Sequence, residues 1–543
     1  MPRVSSIVQD KMFTLMKKLQ VWLPLLFAVI MIVGMLIGFR LRENIGSTGF
    51  FKTRKQSPVE EVFDLVTQKY VDPVPADSLG DDAIQGMLTR LDPHTVYIPA
   101  VDLPEMNEDL QGNFEGIGIE FQIFDDTVNV VNVLEGGPSD QASLRVGDKF
   151  IKVGDSVVAG NGIDNDKIRK LLRGPGSSKV TISLLRGGKP MQVTITRGTI
   201  PLPSVDVAYM IDKETGYLRI NKFSETTHAE FVQAMMKLQQ QGLQKLILDL
   251  RDNGGGILQE SIEIADDFLD GDKLILYTVG DKSPRVEYRC RRDGLFEKGK
   301  LAVLTDEGTA SASEILTGAL QDWDRATIIG RRTFGKGLVQ EPYLLSNGAS
   351  LRLTVARYYT PTGRSIQKPY NKGHEDYEEE VMKRFHDGEV LHGDTAAPTG
   401  PAYKTLGSEH RTVYGGGGIT PDIFIGFDTS TLNKNVTALY MAGTLSRFIY
   451  TYYIQHLPSF QPFKDPADFI ARYHDEDQLW NSLTAFAARD TINLRSLEPK
   501  DKEILQHRIK ALMARQIWRT EGYYEVSNAY DPVVEKALEV VRK

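Results

Sequence analysis

An unbroken apolar run, KLILDL at residues 245–250, constrains the fold of this 543-residue chain more than any other short stretch. A run without polar alternation is typical of a strand that is buried on both faces of a sheet. Three consecutive glycines and a segment with a helical apolar face follow it. The segments LILYTV and LAVLT, a helix beginning near Ser311 and the segment ATII repeat this alternation of strand and helix, which predicts an α/β core.

A different pattern precedes this core, from Gly112 to about residue 199. Five short alternating apolar segments punctuated by glycine predict five or six strands: GIGIEFQIF, VNVVNVL, DKFIKVGD, KVTISLL and MQVTITR. The segment DNDKIRKLL predicts one helix, with Ile168, Leu171 and Leu172 on a single face. Residues 111–199 are therefore expected to form a compact β-rich module.

Near the N-terminus, 19 uncharged residues run from Val21 to Phe39. That is about the length a helix needs to cross a bilayer. Lys11, Lys17 and Lys18 precede the run and no clear small-residue cleavage site follows it, a pattern that favours an uncleaved signal anchor over a removed signal peptide. The sequence thus predicts one transmembrane helix within residues 1–43 that anchors the chain in a membrane.

The remaining segments predict helices and one insertion. A capping box, Ser57-Pro58-Val59-Glu60, opens a helical arm that we place at residues 44–110. Residues 370–414 lack apolar periodicity and contain HEDYEEE, so we expect an exposed insertion with solvated charges in a core spanning residues 200–427. Apolar stripes at helical spacing in residues 428–543 indicate a C-terminal helical region that packs on a core or on another subunit, which leaves a homo-oligomer open.

Composition excludes several classes of function. The formal net charge of -8 gives no general reason to expect a nucleic-acid partner. Cys290 is the single cysteine, which excludes an intramolecular disulfide framework and a cysteine-rich metal site. The serine and lysine chemistry predicted below needs neither metal nor cofactor.

Lys336 stands in GRRTFGKG, a near match to the phosphate loop G-x-x-x-x-G-K-[ST]. The last position of that loop supplies a hydroxyl to magnesium, but this chain has Gly337 there. The loop must also open a helix, whereas LVQEPYLL after Lys336 is typical of a strand. Nucleotide binding is therefore not favoured.

Ser311 and Lys336 offer a different chemistry. A serine hydroxyl becomes a nucleophile only beside a base, and a lysine amine serves as one when it is neutral. Because a free lysine is neutral about once in 2,500 molecules at pH 7, the site must lower its pKa by about 2 to 3 units. Apolar neighbours of Lys336 in the sequence, namely Phe334, Leu338 and Val339, predict burial of the required kind.

Two alternatives bear on Ser311. Ser311-x-x-Glu314 also fits a capping box that only begins a helix. A histidine-dependent hydrolase is disfavoured because the chain has neither Gly-x-Ser-x-Gly around Ser311 nor His-Glu-x-x-His. The nine histidines are scattered and form no recognisable metal motif.

Six segments taken together resemble the carboxyl-terminal processing peptidases, the S41 family of serine peptidases. In chain order they are LDPHTVYI, LILDLRDNGGG, TASASEILTGALQD, GRRTFGKGLVQ, RYYTPTGRSIQ and GGGGITPD, and the resemblance covers about residues 57–426. It implies a crotonase- or Clp-protease-like α/β core. It further implies that Ser311 is the nucleophile, Lys336 the general base and Gln340 the residue that orients the lysine.

The oxyanion hole is implied in the same way. It would consist of the Ala312 amide, at the start of a helix, and a glycine amide, that of Gly255 or Gly256. The family usually has proline where this chain has Gly254, so the choice between the two glycines stays open.

The β-rich module resembles a PDZ domain of the bacterial protease type, on GIGIEF, GGPSDQASLRVGDKFIKVGD and LLRGPGSSKVTISLLR. The turn at Gly116, Ile117 and Gly118 would present amides to a terminal carboxylate, and the strand from Ile119 would pair with the peptide. The apolar face formed by Ile168, Leu171 and Leu172 completes the predicted peptide site. Arg173 beside it is either a contact between this module and the core or a solvated loop charge.

Together these features predict a membrane-anchored serine endopeptidase of the cell envelope, with its catalytic region on the periplasmic side. Its substrates are expected to be polypeptides with apolar C-terminal tails that the PDZ domain captures. The alternative is a proteolytically inactive PDZ scaffold that binds protein C-termini without cleaving them.

Overall fold

The computed structural model describes residues 21–37, 57–393, 400–428 and 433–543. The chain divides into two units, Met1–Ala83 and Ile84–Lys543. Each unit is described by itself.

The first unit contains helices in the predicted places: α1 (residues 21–37), α2 (Pro58–Lys69) and the start of α3 (Ala76–Leu88). The capping box predicted for α2 is confirmed, because the Ser57 hydroxyl accepts from the Glu60 amide at 3.3 Å and the Glu60 carboxylate accepts from the Ser57 amide at 2.9 Å. Every residue of α1 is exposed. None of the helices in the described residues meets both the length and the apolarity of a membrane span. The last two residues of the predicted span and its basic flanks lie outside the described residues.

Ten elements form the β-rich module, after β1 (Val96–Ile98) and α4 (Leu103–Gln111). They are β2 (Asn113–Gly116), β3 (Ile119–Phe124), β4 (Thr127–Val133), α5 (Pro138–Gln141), β5 (Lys149–Val153), β6 (Ser156–Val157), α6 (Asn165–Leu172), β7 (Lys179–Arg186), β8 (Lys189–Thr196) and β9 (Gly198–Pro201). Their sheet has the order β3-β4-β5-β7-β8, with β6 on β5, while β2 pairs with β9. A separate apolar cluster that includes Val128, Phe150 and Ile182 fills the module.

The core alternates strands and helices, as the sequence predicts. Its elements are β10 (Val205–Met210), β11 (Thr215–Ile220), α7 (Thr227–Gln240), β12 (Lys245–Asp249), α8 (Leu258–Asp266), β13 (Leu274–Val279), β14 (Val286–Arg289), β15 (Lys300–Thr305), α9 (Ala312–Asp322), β16 (Thr327–Gly330), β17 (Leu338–Leu344) and β18 (Ser350–Tyr359). After them come α10 (His374–His386), α11 (Glu389–His392), β19 (Ala402–Lys404), β20 (Thr412–Tyr414) and β21 (Ile423–Phe424).

Two sheets organise the core. One has the order β10-β11-β12-β15-β16-β21, and its strands from β11 onward are parallel. Leu246, Ile247 and Leu248 of β12 are fully buried, as expected of the central strand that KLILDL predicts. The other sheet has the order β1-β18-β13-β14, with β17 also paired to β18. Since β1 joins this sheet, residues 96–98 are a strand of the core, although the sequence suggested a helical arm as far as residue 110.

The insertion at 370–414 is less exposed than predicted. Helix α10 buries Tyr377 and Arg384 on one face. The Arg384 guanidinium donates to the Thr333 carbonyl at 2.8 Å and to the Phe334 carbonyl at 3.2 Å. Sequence periodicity missed this because the buried face consists of an arginine and a tyrosine, which do not register as an apolar stripe.

The C-terminal helices are α12 (Lys434–Met441), α13 (Thr444–Gln455), α14 (Leu457–Phe460), α15 (Pro466–Arg472), α16 (Glu476–Ala487), α17 (Pro499–Asn528) and α18 (Pro532–Arg542). Helices α12 to α17 enclose their own apolar cluster, and α17 is interrupted at Trp518 and Arg519. The last helix, α18, packs instead on the parallel sheet of the core, against residues that include Ile247 and Leu304. The C-terminal region therefore contributes both a separate helical body, residues 433–528, and a helix of the core.

Candidate active site

Three loops meet at one edge of the parallel sheet. They follow β12, β15 and β16, which are neighbours in the sheet and run in the same direction. The first loop carries the glycines at 254–256, the second Ser311 and the third Lys336. Because carboxyl ends of parallel strands share an edge, the sheet brings together segments that are far apart in the sequence.

Ser311 precedes helix α9 with a backbone conformation of φ 54° and ψ -115°. Left-handed φ is uncommon for a residue with a Cβ and costs roughly 1–3 kcal/mol, so it persists only where its surroundings enforce it. Such strain is concentrated at functional sites. Ser57, which caps α2, has instead the β-region backbone that is typical of an N-cap residue.

The carboxylate of Glu314 holds this conformation. It is fully buried, and its Oε2 accepts from the amide of Ser311 at 2.9 Å and from the amide of Lys336 at 2.8 Å. Its Oε1 accepts from the Gly335 amide at 2.7 Å and from the Thr333 hydroxyl. Burial raises the pKa of the Glu314 carboxyl, while these four hydrogen bonds lower it. One side chain therefore ties the backbone of Ser311 to the loop that carries Lys336.

The amine of Lys336 meets the side chain of Gln340. Lys336 Nζ lies 3.1 Å from Gln340 Oε1. Gln340 stands at a register shift between β17 and β18, and its Nε2 donates to the carbonyl of His94. That second bond fixes the amide with its carbonyl oxygen toward the lysine.

Several effects act on the pKa of Lys336. Burial lowers it most, and the nearby Arg352 guanidinium lowers it further. Glu314 and Asp92 oppose this and raise it. The outcome is a lysine pKa below its ordinary value, chiefly because the amine is buried. Its side-chain hydrogen-bond partner among the described residues is the neutral amide of Gln340. A lowered pKa is the direction that a general base requires.

The structure brings Ser311 and Lys336 into one site without a direct contact between their reacting atoms. Among the hydrogen bonds of residues 57–393, none joins the Ser311 hydroxyl to the Lys336 amine. The hydroxyl of Tyr358 lies 2.5 Å from the Lys336 carbonyl and 3.2 Å from the Ser311 carbonyl, so it contacts both backbones. Free enzymes commonly have loose catalytic contacts that tighten when substrate binds.

The glycines of the predicted oxyanion hole differ in their partners. The Gly255 amide donates to its neighbour Asn253 at 2.9 Å, so in this conformation it is not free for an oxyanion. A Cβ on Gly255 would lie 2.8 Å from the Ala312 nitrogen, so only glycine fits beside that amide. Gly256 is exposed, and its amide has no acceptor in the described part of the chain. The arrangement favours Ala312 and Gly256 over Gly255 as donors.

Helix α10 of the insertion lies behind this site. Its Tyr377 hydroxyl is 2.8 Å from His94 Nε2, while the backbone carbonyl of His94 accepts from Gln340. Burial and the nearby Lys336 lower the pKa of His94 to about 4, so this imidazole is neutral near pH 7. His94 therefore connects Tyr377 of the insertion to Gln340, the hydrogen-bond partner of Lys336.

A groove in the β-rich module, which we call the peptide groove, has a volume of about 120 Å³. It is lined by Phe114, Gly116, Ile117, Gly118, Ile119, Phe121, Arg169, Leu172 and Arg173. The loop residues and Leu172 lie where they were predicted. Ile168 and Leu171 do not line the groove: Ile168 is fully buried in the module's apolar cluster, and Leu171 packs against that cluster.

Arg173 contacts helix α4 and not the three loops of the sheet edge. Its guanidinium lies 2.9 Å from a Glu108 carboxylate oxygen and 4.7 Å from the centre of the Phe114 ring. The sequence predicted for Arg173 either a contact with the core or a solvated charge. The structure instead pairs it with α4, in the segment that the sequence assigned to the helical arm.

Sequence reasoning missed the wider set of residues that hold the site. Glu314 was visible only as a capping residue, since nothing in Ser-x-x-Glu reveals a second contact 22 residues later at Lys336. His94, Tyr358 and Tyr377 come from distant segments and act through a carbonyl or a hydroxyl. The motif LDPHTVYI contains His94, but its contribution to Gln340 is made by the backbone, which no residue pattern signals.

Four family profiles match the chain. Peptidase family S41 matches residues 214–375, and a PDZ domain matches residues 116–196. The N-terminal domain of the activating protease CtpB matches residues 43–101. A family of unknown function matches residues 435–519, within the C-terminal helices.

Curated relatives resemble most of the chain. A probable CtpA-like serine protease of Staphylococcus aureus (strain N315) is 32% identical over 345 residues, which are 63% of this chain and 68% of the relative. A carboxy-terminal-processing protease of Bartonella bacilliformis is 34% identical over 313 residues, 56% of this chain and 71% of the relative. A solved structure, the photosystem II D1 C-terminal processing protease, is 30% identical with a TM-score of 0.34, and covers 57% of this chain and 82% of its own.

Proposed function

The chain belongs to peptidase family S41, and within that family we propose that Ser311 is its nucleophile, Lys336 its general base and Gln340 the residue that orients the base. The protein is a serine-type peptidase of the carboxy-terminal processing kind. The observation that carries the proposal is the Glu314 carboxylate oxygen that accepts from the amides of both Ser311 and Lys336. The rival reading, an inactive scaffold, is not favoured, because all three proposed groups are present and the relatives are named as proteases.

The reaction follows from the arrangement of these groups. As the Ser311 oxygen attacks the scissile carbonyl carbon, its proton passes to the neutral amine of Lys336. The Ala312 and Gly256 amides stabilise the negative charge on the carbonyl oxygen. When the carbon–nitrogen bond breaks, the Lys336 ammonium gives its proton to the departing amine and an ester on Ser311 remains. Water then attacks that ester with Lys336 again as base, and the serine is released.

Gln340 has a defined part in this cycle. Its carbonyl oxygen accepts one hydrogen of the Lys336 amine and thereby turns the lone pair of the neutral nitrogen away from itself. As a neutral acceptor it orients the amine without stabilising the protonated form as a carboxylate would.

Substrates are captured by the PDZ domain, the β-rich module at 116–196. The carbonyls of Ile117 and Gly118 are used inside the domain, where they accept from Ser139 and Leu134 at 3.0 Å each. No acceptor among the described residues meets the amides of Ile117 and Gly118. Free amides beside an apolar groove suit a terminal carboxylate with a small apolar side chain next to it.

Location is a separate part of the proposal. We place the catalytic region on the extracytoplasmic side of a membrane, held by the apolar run at residues 21–39. Retention of the full chain in the membrane fraction after an alkaline carbonate wash, and its loss when residues 21–37 are deleted, is the expected result. An alkaline phosphatase fusion after residue 56 that is inactive would contradict the orientation.

The catalytic assignment is tested by cleavage of an unstructured protein. The purified full chain, incubated with casein and a peptide that ends in apolar residues, should degrade casein, and Ser311→Ala should leave casein intact. Ser313→Ala is the matched control, because Ser313 lies two residues away and its hydroxyl donates to the Asn253 carbonyl. Equal cleavage by wild type and Ser311→Ala would remove Ser311 from the reaction.

A further inference from the structure

The helical body at residues 433–528 stands beside the open edge of the PDZ sheet. Strand β3 is the first strand of that sheet, and β4 is its neighbour in the sheet. The other edge of β3 pairs with no strand in the described part of the chain, so its backbone groups are open to the space next to it. An unpaired strand edge next to a carboxylate-binding turn is the place where an extended peptide adds as a further strand.

A second cavity, of about 590 Å³, continues the peptide groove along this edge. The two cavities share Ile119, Phe121 and Arg169, so they form one cleft. Along the second cavity the opposite wall comes from the helical body, namely Ala442 and Gly443 before α13 and Ser446 and Arg447 within it. Three of these four residues are small, which leaves room for a chain to pass between α13 and β3.

Several contacts hold the helical body in this position. Arg515 Nη2 lies 3.1 Å from Glu120 Oε2, and Arg519 Nη2 donates to the Val133 carbonyl at 3.0 Å. The rings of Phe124 and Tyr450 lie 5.5 Å apart, centre to centre. These contacts are made to β3 and to the end of β4, so they fix the helical body beside the cleft.

The direction of a bound peptide follows from the position of the turn. Gly116–Gly118 precedes β3, so a peptide whose carboxylate sits at the turn can cover β3 only if it runs antiparallel to it. Six residues of β3 span about 20 Å, which an extended peptide matches residue for residue. The last residue of the substrate then lies opposite Ile119, and the residue five positions upstream lies opposite Phe124, at the far end of β3, where the second cavity continues.

We propose that the helical body at residues 433–528 forms the second wall of the substrate cleft and binds the extended stretch that precedes the substrate's last five residues. This inference rests on the proposed capture of C-termini by the PDZ domain. It assigns a substrate-binding surface to the region that matches a family of unknown function. A substrate must then present an unstructured tail of about ten residues, not merely a free apolar end.

Calorimetric titration of two unlabelled peptides into the full-length Ser311→Ala chain tests this. One peptide is Ser-Gly-Leu-Val-Ala, and the other has ten residues with the same five at its end; Ser311→Ala prevents their cleavage. The ten-residue peptide should bind about tenfold tighter, the gain expected from one or two added backbone hydrogen bonds. The ten-residue peptide with an amidated C-terminus should bind weakly.

The variant Ser446→Trp, at an exposed position of α13 that lines the cleft, should reduce that tenfold gain to less than about twofold, as expected when a bulky ring blocks one or two backbone hydrogen bonds. Its affinity for the five-residue peptide should stay that of the parent chain. Gln455→Trp, exposed at the other end of α13 and outside the cleft, is the matched control and should keep the gain.

The outcomes separate this inference from the proposal beneath it. If the two peptides bind the parent chain with equal affinity, or if Ser446→Trp keeps the tenfold gain in affinity, the helical body does not bind the substrate. Either result is compatible with capture of the C-terminus by the PDZ domain. Equal binding of the amidated and free ten-residue peptides overturns capture of the carboxylate, and the inference falls with it.

Discussion

Two lysines of the core, Lys336 and Lys368, are largely withdrawn from solvent and lie close together, but their surroundings differ. Lys368 Nζ is 3.1 Å from a Glu380 carboxylate oxygen and lies over the rings of Phe334 and Tyr377, at 3.8 and 4.2 Å from their centres. Lys336 Nζ contacts the neutral amide of Gln340. Burial lowers the pKa of both, but the carboxylate beside Lys368 raises it again.

Burial alone therefore does not make a lysine a general base. A carboxylate about 4 Å from an ammonium contributes roughly 4 kcal/mol at an effective dielectric constant of 20. The Glu380 carboxylate therefore counteracts burial and favours the charged form of Lys368, although the pKa of Lys368 stays below its ordinary value. Lys368 is therefore suited to a structural cation, and Lys336, with a neutral partner, to proton transfer.

Removing each amine gives the largest contrast between the two lysines. Lys336→Met should lower kcat for casein cleavage by about 10³-fold or more, because general-base catalysis contributes about 10²–10⁴-fold and this variant removes the proposed base. Lys368→Met should keep kcat within about fivefold, since it removes no group of the proton-transfer pair. If kcat falls to a similar extent in both variants, at matched thermal stability, the two lysines do not differ in their catalytic roles.

Giving Lys336 the kind of partner that Lys368 has is the next test. Gln340→Glu places a carboxylate at the Lys336 amine and should raise its pKa by up to about three units. Activity rises with pH as the lysine loses its proton, so the rising limb of kcat/KM should move to higher pH and activity at pH 8 should fall about 100-fold. Gln340→Met, which removes the orienting acceptor without adding charge, is the control and should lower kcat without that alkaline displacement.

Stability should respond in the opposite order. Lys368→Met leaves the Glu380 carboxylate without one of its cations, although Arg384 remains 2.7 Å away. Removing one partner of a buried pair is destabilising, so we expect the free energy of unfolding to fall by about 1–3 kcal/mol, measured by urea denaturation. For Lys336→Met, which removes an amine that is costly to bury, the change should be smaller or stabilising.

The smallest effect concerns the contact between the insertion and His94. Tyr377→Phe removes one hydroxyl, worth about 0.5–1.5 kcal/mol, and should lower kcat two- to tenfold if that hydroxyl keeps the His94 carbonyl in place for Gln340. Tyr370→Phe, at a tyrosine that bonds Arg357 outside this chain of contacts, should leave kcat unchanged. Equal kcat values for Tyr377→Phe and Tyr370→Phe would show that the contact between the insertion and His94 does not affect catalysis.

Much of the fold was predictable because strong periodicity controls it. KLILDL gave a buried central strand, and glycine-separated alternation gave the β-rich module. The helical face of α10 escaped prediction because its buried residues, Tyr377 and Arg384, are polar and meet backbone carbonyls. Likewise the sequence of α18 has the pattern of one more helix of the C-terminal region. Its packing on the parallel sheet of the core is visible only in the structure.

The site was predictable as far as short motifs reach. Ser311, Lys336 and Gln340 stand in segments with recognisable patterns, and the amine of Lys336 meets Gln340 as expected. Which glycine amide is free depends on a local contact, the Asn253 side chain on Gly255, that a run of three glycines does not reveal. The wall opposite β3 depends on how two bodies pack, and residue patterns within either body carry no signal for it.

The rate at which a fluorophosphonate labels Ser311, measured against pH by intact mass, tests the central claim most directly. We expect one covalent adduct, at Ser311, whose rate of formation rises with a single apparent pKa below the ordinary lysine value of 10.5; in Gln340→Glu this apparent pKa should be higher. A labelling rate that keeps rising in proportion to hydroxide through pH 10.5, or that is unchanged in Lys336→Met, would show that the neutral amine of Lys336 does not activate the serine.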